Sequence, residues 1–160
     1  AERALFKTLG LQTRAIHVHV ENVHGLVWAA VRAQSKHENP GMLDNLAAGG
    51  VAGGESVQTT LWRELHEEAG LCEDDLEAPK ALYTEGDALL VSRPLLHGGW
   101  HHEKIHLFKA RLKPGHLPCN TDGEVQAFQL MNRQACIRSL NGWEFTPDAG
   151  LCTALALQYK

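Results

Sequence analysis

One stretch constrains this chain more than any other: Gly49 to Leu71, GGVAGGESVQTTLWRELHEEAGL. Glycines at 49, 50, 53 and 54 open it, and the pattern then turns helical at Glu55 or Ser56 and stops at Gly70. At about 100° per residue, Leu61, Trp62, Leu65 and Ala69 share one arc, while Glu64, Glu67 and Glu68 fall on a neighbouring arc about 100° wide. One face is built to pack and the next presents three acids together. Glu64 and Glu68 are a like-charged i,i+4 pair and Glu67 adds an i,i+3 repulsion, each destabilising by a few tenths of a kcal/mol. Local relief comes only from Arg63, in the less favourable orientation toward Glu67. A solvated acidic helix gains nothing from this clustering. A hard divalent cation does, because it takes carboxylate and backbone carbonyl oxygens, and the glycines ahead of the helix let the backbone approach closely.

The spacing is specific. Gly49, five residues, Glu55, seven residues, then Arg63-Glu64-Leu65-His66-Glu67-Glu68-Ala69-Gly70-Leu71 resembles the Nudix box at nine fixed positions within 23 residues. The resemblance implies an α/β fold, the Nudix α/β/α sandwich with a mixed central sheet. It also implies hydrolysis of a diphosphate linked to another moiety. On that resemblance Glu64, Glu67 and Glu68 are the expected metal ligands and the Gly49 carbonyl a further one. Mg²⁺ is the expected ion, with Mn²⁺ as a substitute. Glu64 is expected to help deprotonate water, Arg63 to orient the carboxylates, Glu55 to support the loop–helix junction, and Gly70 to close the helix. Nudix enzymes often add an acid from a distant loop or strand end. Glu124, in Asp122-Gly123-Glu124-Val125 just before a strand, is the first candidate, ahead of Glu103 and Glu85.

Upstream, Lys36 is followed by Pro40-Gly41-Met42-Leu43-Asp44-Asn45 and then Ala48-Gly49-Gly50. This stretch, with Leu9 to Val18, resembles the thiamine-pyrophosphokinase-related branch of Nudix hydrolases. That branch implies a thiamine-diphosphate-like substrate and a chain that is part of a longer protein with an N-terminal domain. ADP-ribose or another nucleotide diphosphate is the main alternative substrate, and a non-catalytic ligand-binding module the alternative function. Isopentenyl-diphosphate isomerase relatives require a cysteine close upstream of the box, and no cysteine precedes Cys72. For substrate binding the candidates are Lys36, Arg93 and Trp100, with Lys104 behind them. Trp100 is expected on a hairpin loop after Gly98-Gly99, where a ring can stack on a heterocycle. Trp28 reads as core. His97, His101, His102 and His106 do not read as a zinc site, because strand neighbours alternate faces and no cysteine or helical HxxxH accompanies them.

The remaining sequence sets bounds. At 160 residues the chain suits a single Nudix domain over 1–160. A net charge of −4 offers no argument for nucleic acid or an anionic membrane as partner. Cys72, Cys119, Cys136 and Cys152 lack metal-like spacing and read as reduced thiols in the cytoplasm. A homodimer is compatible with the fold. Beyond the box the pattern predicts a weak helix in 1–12 and paired strands at Ala15–Val20 and Leu26–Arg32. A strand follows in Met42–Val51, then an acidic connection over 73–79 and strands near 80–86, 89–93 and 103–111. Val125–Met131 reads as a last strand, and helices are expected at Arg133–Leu140 and Pro147–Leu157.

Overall fold

Two strands distant in sequence form the centre of the sheet. In the computed structural model, which describes residues 2–82, 88–95 and 98–159, β1 (Thr13–Glu21) runs parallel to β7 (Trp100–Leu112) over nine residue pairs, from Thr13 opposite Glu103 to Glu21 opposite Arg111. Around this pair the sheet orders β3-β2-β1-β7-β5. β4 also pairs with β1, β6 with β7, and β8 with β2. β2 is Val27–Arg32, β3 Leu43–Asp44, β4 Ala47–Gly50, β5 Leu76–Ala81, β6 Leu89–Pro94 and β8 Val125–Met131. All pairings but β1–β7 are antiparallel, so the sheet is mixed as expected.

Alternation along the strands decides what each face holds. Ile16, Val18 and Val20 of β1 with Phe108, Ala110 and Leu112 of β7 point to one side. There they pack on Leu61, Leu65 and Ala69 of α2 (Val57–Ala69). Leu61 and Leu65 are fully buried, which stabilises each by about 1.5–3 kcal/mol over leaving it exposed. Ile105 and Leu107 point the other way, onto Cys152 and Leu155 of α4 (Pro147–Ala156). Val27, Ala29 and Met131 meet Cys136 of α3 (Arg133–Asn141) and Ala149 of α4 on that same side. Helices cover both faces, which is the α/β/α sandwich expected. α1 (Glu2–Leu9) precedes β1.

α2 begins and ends as its sequence dictates. Ser56 is the N-cap and accepts the Thr59 amide at 3.0 Å. Gly70 adopts φ 63°, ψ 23°, the left-handed closure, with its amide on the His66 carbonyl at 3.0 Å. A Cβ there would also lie 2.4 Å from Cys119 Sγ.

The structure amends several sequence expectations. Met42–Val51 is two short strands broken at Asn45-Leu46. The acidic connection shrinks to a 3-10 turn over Glu73–Asp75, and β5 starts at Leu76, whose side chain is buried. The expected strand near 80–86 lies outside the described residues beyond Leu82. Trp100 is the first residue of β7, opposite Pro94, not a loop residue. Pairing with β6 carries it into the sheet.

Candidate active site

The second half of α2 lies against β4, and the glycine at 49 makes room for acids. Gly49 is opposite Ile16 of β1, so it faces α2. A Cβ on Gly49 would lie 1.9 Å from Glu64 Oε1 and 2.0 Å from its carboxyl carbon. One residue back, the Ala48 amide donates to Glu68 Oε2 at 2.9 Å. Glu64 is buried. Glu68 keeps part of its surface accessible, but its carboxyl end is enclosed by protein. Burial pushes the Glu68 carboxyl well above the usual range. The Ala48 amide opposes this, and repulsion from Asp44, Glu64 and Glu124 adds to it. Glu67, one residue earlier, is exposed.

Arg63 sorts these charges. Its Nη1 donates to Glu64 Oε1 at 2.7 Å and to Glu67 Oε2 at 2.9 Å. Nε and Nη2 hold Glu55 at 3.0 and 3.2 Å, and Nη2 also reaches the Gly50 carbonyl at 3.3 Å. One planar guanidinium therefore ties three acids to the loop ahead of the helix. Glu55 in turn accepts the Ala52 amide and the Thr60 hydroxyl. The hydrogen bonds from Arg63, then Thr60, hold the Glu55 carboxyl down at about 2. Glu55 thus sits where a support of the loop–helix junction is needed.

Glu124 reaches the same neighbourhood from the far end of the chain. Its carbonyl accepts the Ala33 amide at 2.9 Å, pinning the start of β8 beside the end of β2. Its carboxylate pairs with Lys36. Lys36 and Glu124, expected separately as a substrate contact and an acid, are ion-pair partners. Nearby, Arg32 Nη1 holds Asp44 Oδ2 at 2.9 Å.

A cleft of about 800 Å³ opens beside Gly49–Glu55, within the size range of small-molecule sites. Its walls include Arg14, His17 and Asp44, and it runs to Arg93, His101, Glu103 and Asp148. His17 is structural: its Nδ1 is 2.8 Å from Asn45 Oδ1, and the Asn45 amide donates to Thr153 of α4. Arg93 lines the cleft, as expected of a substrate contact, but Asp148 holds its guanidinium at 2.5 and 3.2 Å. Trp100 is half exposed and is not among the lining residues; nor is Lys104. Glu103, a reserve candidate for the additional acid, lines the cleft and accepts the Thr13 hydroxyl at 2.8 Å. Glu85 and His97 lie outside the described residues.

His101 and Asp148 were missed as a pair. His101 Nε2 is 3.1 Å from Asp148 Oδ2 and 3.4 Å from Glu103 Oε2, yet its N–H is not aligned on either oxygen. Asp148, then Glu103, lift the imidazole to about 9. Burial alone would raise both carboxyls; His101 with Thr13 for Glu103, and His101 with Arg93 for Asp148, outweigh it and hold both below their usual values. The strand expected from the sequence starts at 103, with His101 on the hairpin loop ahead of it, so nothing local pointed to its meeting Glu103 or Asp148.

The donor set on α2 fits a hard divalent cation. Glu64, Glu67 and Glu68 offer only oxygen, and Gly49 leaves the space that the Glu64 carboxylate fills. The Glu68 carboxyl, with Asp44, Glu64 and Glu124 around it, is where a cation would relieve repulsion.

The NUDIX domain family model matches residues 11–148. An uncharacterized protein of Saccharomyces cerevisiae is 30% identical over 162 residues, covering 94% of this chain and 47% of its own length. Nudix hydrolase 24, chloroplastic, of Arabidopsis thaliana is 33% identical over 137 residues, covering 81% of this chain and 35% of its own. The chain therefore spans half or less of these curated relatives. Among solved structures, the Deinococcus radiodurans protein DR0079 superposes with a TM-score of 0.66 at 19% identity, covering 92% of this chain and 83% of that one. A Caenorhabditis elegans Ap4A hydrolase binary complex gives 0.62 at 14% identity, covering 91% and 96%. At these identities the superpositions speak to the fold alone. With its box intact, its sandwich formed and the family model covering most of its length, the chain belongs to the NUDIX domain family.

Proposed function

We propose that this domain is a Mg²⁺-dependent hydrolase that cleaves the diphosphate bond of a small heterocyclic diphosphate, of the thiamine-diphosphate-like class, to a monophosphate. One observation carries the reaction: Glu64, buried against Gly49, and Glu68, on the Ala48 amide, meet at a strand end whose glycines line a substrate-sized cleft. Glu64, Glu67, Glu68 and the Gly49 carbonyl are the groups that would hold Mg²⁺, or Mn²⁺ in its place. When bound, the cation supplies charge neutralisation for the diphosphate and acidifies water.

The protein's own part is positional and acid–base. Arg63 keeps Glu64 and Glu67 in one orientation, and Glu55 keeps Arg63 in place. Glu64, buried against Gly49, is the group proposed to help take the proton from water; Glu124, steadied by Lys36, is the additional acid. Arg14 and Arg93 on the cleft wall offset phosphate charge in an otherwise acidic protein. The substrate class rests on the resemblance of Lys36 to Gly50, part of which, Asn39 and Asp44, lines the cleft. All four cysteines are free, which suits the cytoplasm. Among the described residues no helix is long and apolar enough to cross a membrane.

The test is a hydrolysis screen with Mg²⁺ across thiamine diphosphate, its oxidised analogues, nucleoside diphosphates and triphosphates, and ADP-ribose, with products identified. Monophosphate release from a thiamine derivative, reduced by orders of magnitude in Glu68→Gln, is expected. Preferential cleavage of ADP-ribose would move the substrate to the nucleotide class. No release from any compound would make the domain a binding module.

A further inference from the structure

The cleft holds a second group of donors that the hydrolytic reading does not use. His101 and Glu103 are two residues apart on β7 and share a face. Asp148, in the first turn of α4, meets them from the helix packed on that face. Among the described residues these three bring one ligand atom each to within 4.8 Å of one another. They are set apart from the α2 acids. Gly49 aligns across β1 with Ile16 and His106, and Glu103 lies three residues further along β7. Three residues along a strand and two strands across amount to about 14 Å. Glu103 also faces α4, whereas α2 covers the opposite side of the sheet.

We propose that His101, Glu103 and Asp148 form a second cation site, for a first-row divalent transition ion of the Zn²⁺ type, with its open position toward the cleft. The separations suit such an ion. Bonds of about 2.0–2.2 Å in tetrahedral geometry place neighbouring donors about 3.3–3.6 Å apart, and Nε2 lies 3.1 and 3.4 Å from the two carboxylate oxygens. His101 is 5% exposed, and its Nε2 is aimed between those oxygens without an aligned hydrogen bond to either. The carboxylates are steadied from behind, as ligating carboxylates usually are. Thr13 donates to Glu103 Oε1 at 2.8 Å, and Arg93 to Asp148 Oδ1 at 2.5 Å and Oδ2 at 3.2 Å. Ligation takes the imidazole in its neutral form, so the cation replaces a proton; two carboxylates then face one guanidinium and one negative charge remains for it. An imidazole beside two carboxylates selects Zn²⁺, Co²⁺ or Mn²⁺ over Mg²⁺. The cleft leaves room for a ligand oxygen or nitrogen to complete the shell.

Chelator-stripped full chain titrated with Co²⁺, followed by its visible absorption, tests this. One ion is expected to bind with the bands of a four- or five-coordinate site. His101→Ala should weaken it at least about tenfold, and Thr13→Val roughly tenfold through the freed Glu103 oxygen. The Glu64→Gln/Glu68→Gln double variant should keep this ion while losing turnover, so the site and the hydrolytic reading fail or stand separately. An ion insensitive to His101→Ala, or no ion bound below millimolar concentration, overturns the proposal. Should His101→Ala not fold, wild-type crystals soaked in Zn²⁺ decide. An anomalous peak within about 2.5 Å of His101 Nε2 is expected, and its absence rejects the site.

Discussion

The carboxylate of Glu64 occupies the space that a side chain at Gly49 would need, with a Cβ there 1.9 Å from Oε1. The clash is with the far end of a side chain, so the helix need not move; the carboxylate must. Gly49→Ala is therefore expected to leave the fold nearly intact while displacing Glu64. Misplacement of about 1 Å costs about a hundredfold in rate. Steady-state kinetics beside thermal melting separate the two effects. A large fall in melting temperature with normal specific activity would reject the displacement.

Arg63 is expected to resist conservative replacement. A lysine carries one ammonium where the guanidinium offers five donors in a fixed fork, and Arg63 uses that fork on Glu55, Glu64, Glu67 and the Gly50 carbonyl. Arg63→Lys should lower kcat by roughly ten- to a hundredfold, close to the effect of Arg63→Ala. Full activity in Arg63→Lys would mean that simple charge, not orientation, is what the carboxylates need.

The Lys36–Glu124 pair makes a paired prediction. As the additional acid, Glu124 changed to Gln should cost about a hundredfold or more in kcat, with KM little altered. Lys36→Met leaves the carboxylate in place and should cost less, mainly by loosening it. The reverse order, with Lys36→Met the more damaging and its effect in KM, would assign Lys36 to the substrate.

Acid stability should depend on Glu21. It is held by His19 at 3.3 Å and Lys109 at 2.9 Å. The His19 hydrogen bond is the largest influence; with Lys109 it outweighs burial and takes the carboxyl from 4.5 to about 2. A lowered carboxyl contributes stability that is whole above about pH 4.5 and lost as pH falls through about 2. With its surroundings partly open to solvent, screening reduces the contribution to about 1 kcal/mol. Urea unfolding should show Glu21→Gln weaker than wild type by that amount at pH 7, with the gap closing toward pH 2. A gap that persists at pH 2 would assign the effect to packing instead of charge.

What could be read from the residues alone is what short-range chemistry dictates. The period of Leu61, Leu65 and Ala69, the onset at Glu55 or Ser56 and the stop at Gly70 define α2, and the same spacing groups Glu64, Glu67 and Glu68. The strands at 15–20, 26–32, 89–93, 103–111 and 125–131 follow from alternation, and the family from the box. Tertiary structure decided what depends on chain reversal and register. The parallel β1–β7 pair joins residues 90 apart, and strand pattern carries no information on which partner a strand takes. Lys36 meets Glu124, 88 residues away, because β2 and β8 pair. Asp148 reaches His101 and Glu103 because α4 packs on one face of β7, a choice made by Cys152 and Leu155 settling on Ile105 and Leu107. A helix–sheet docking of this kind is driven by burial and leaves no local trace, which is why the acids of the box were legible and this cluster was not.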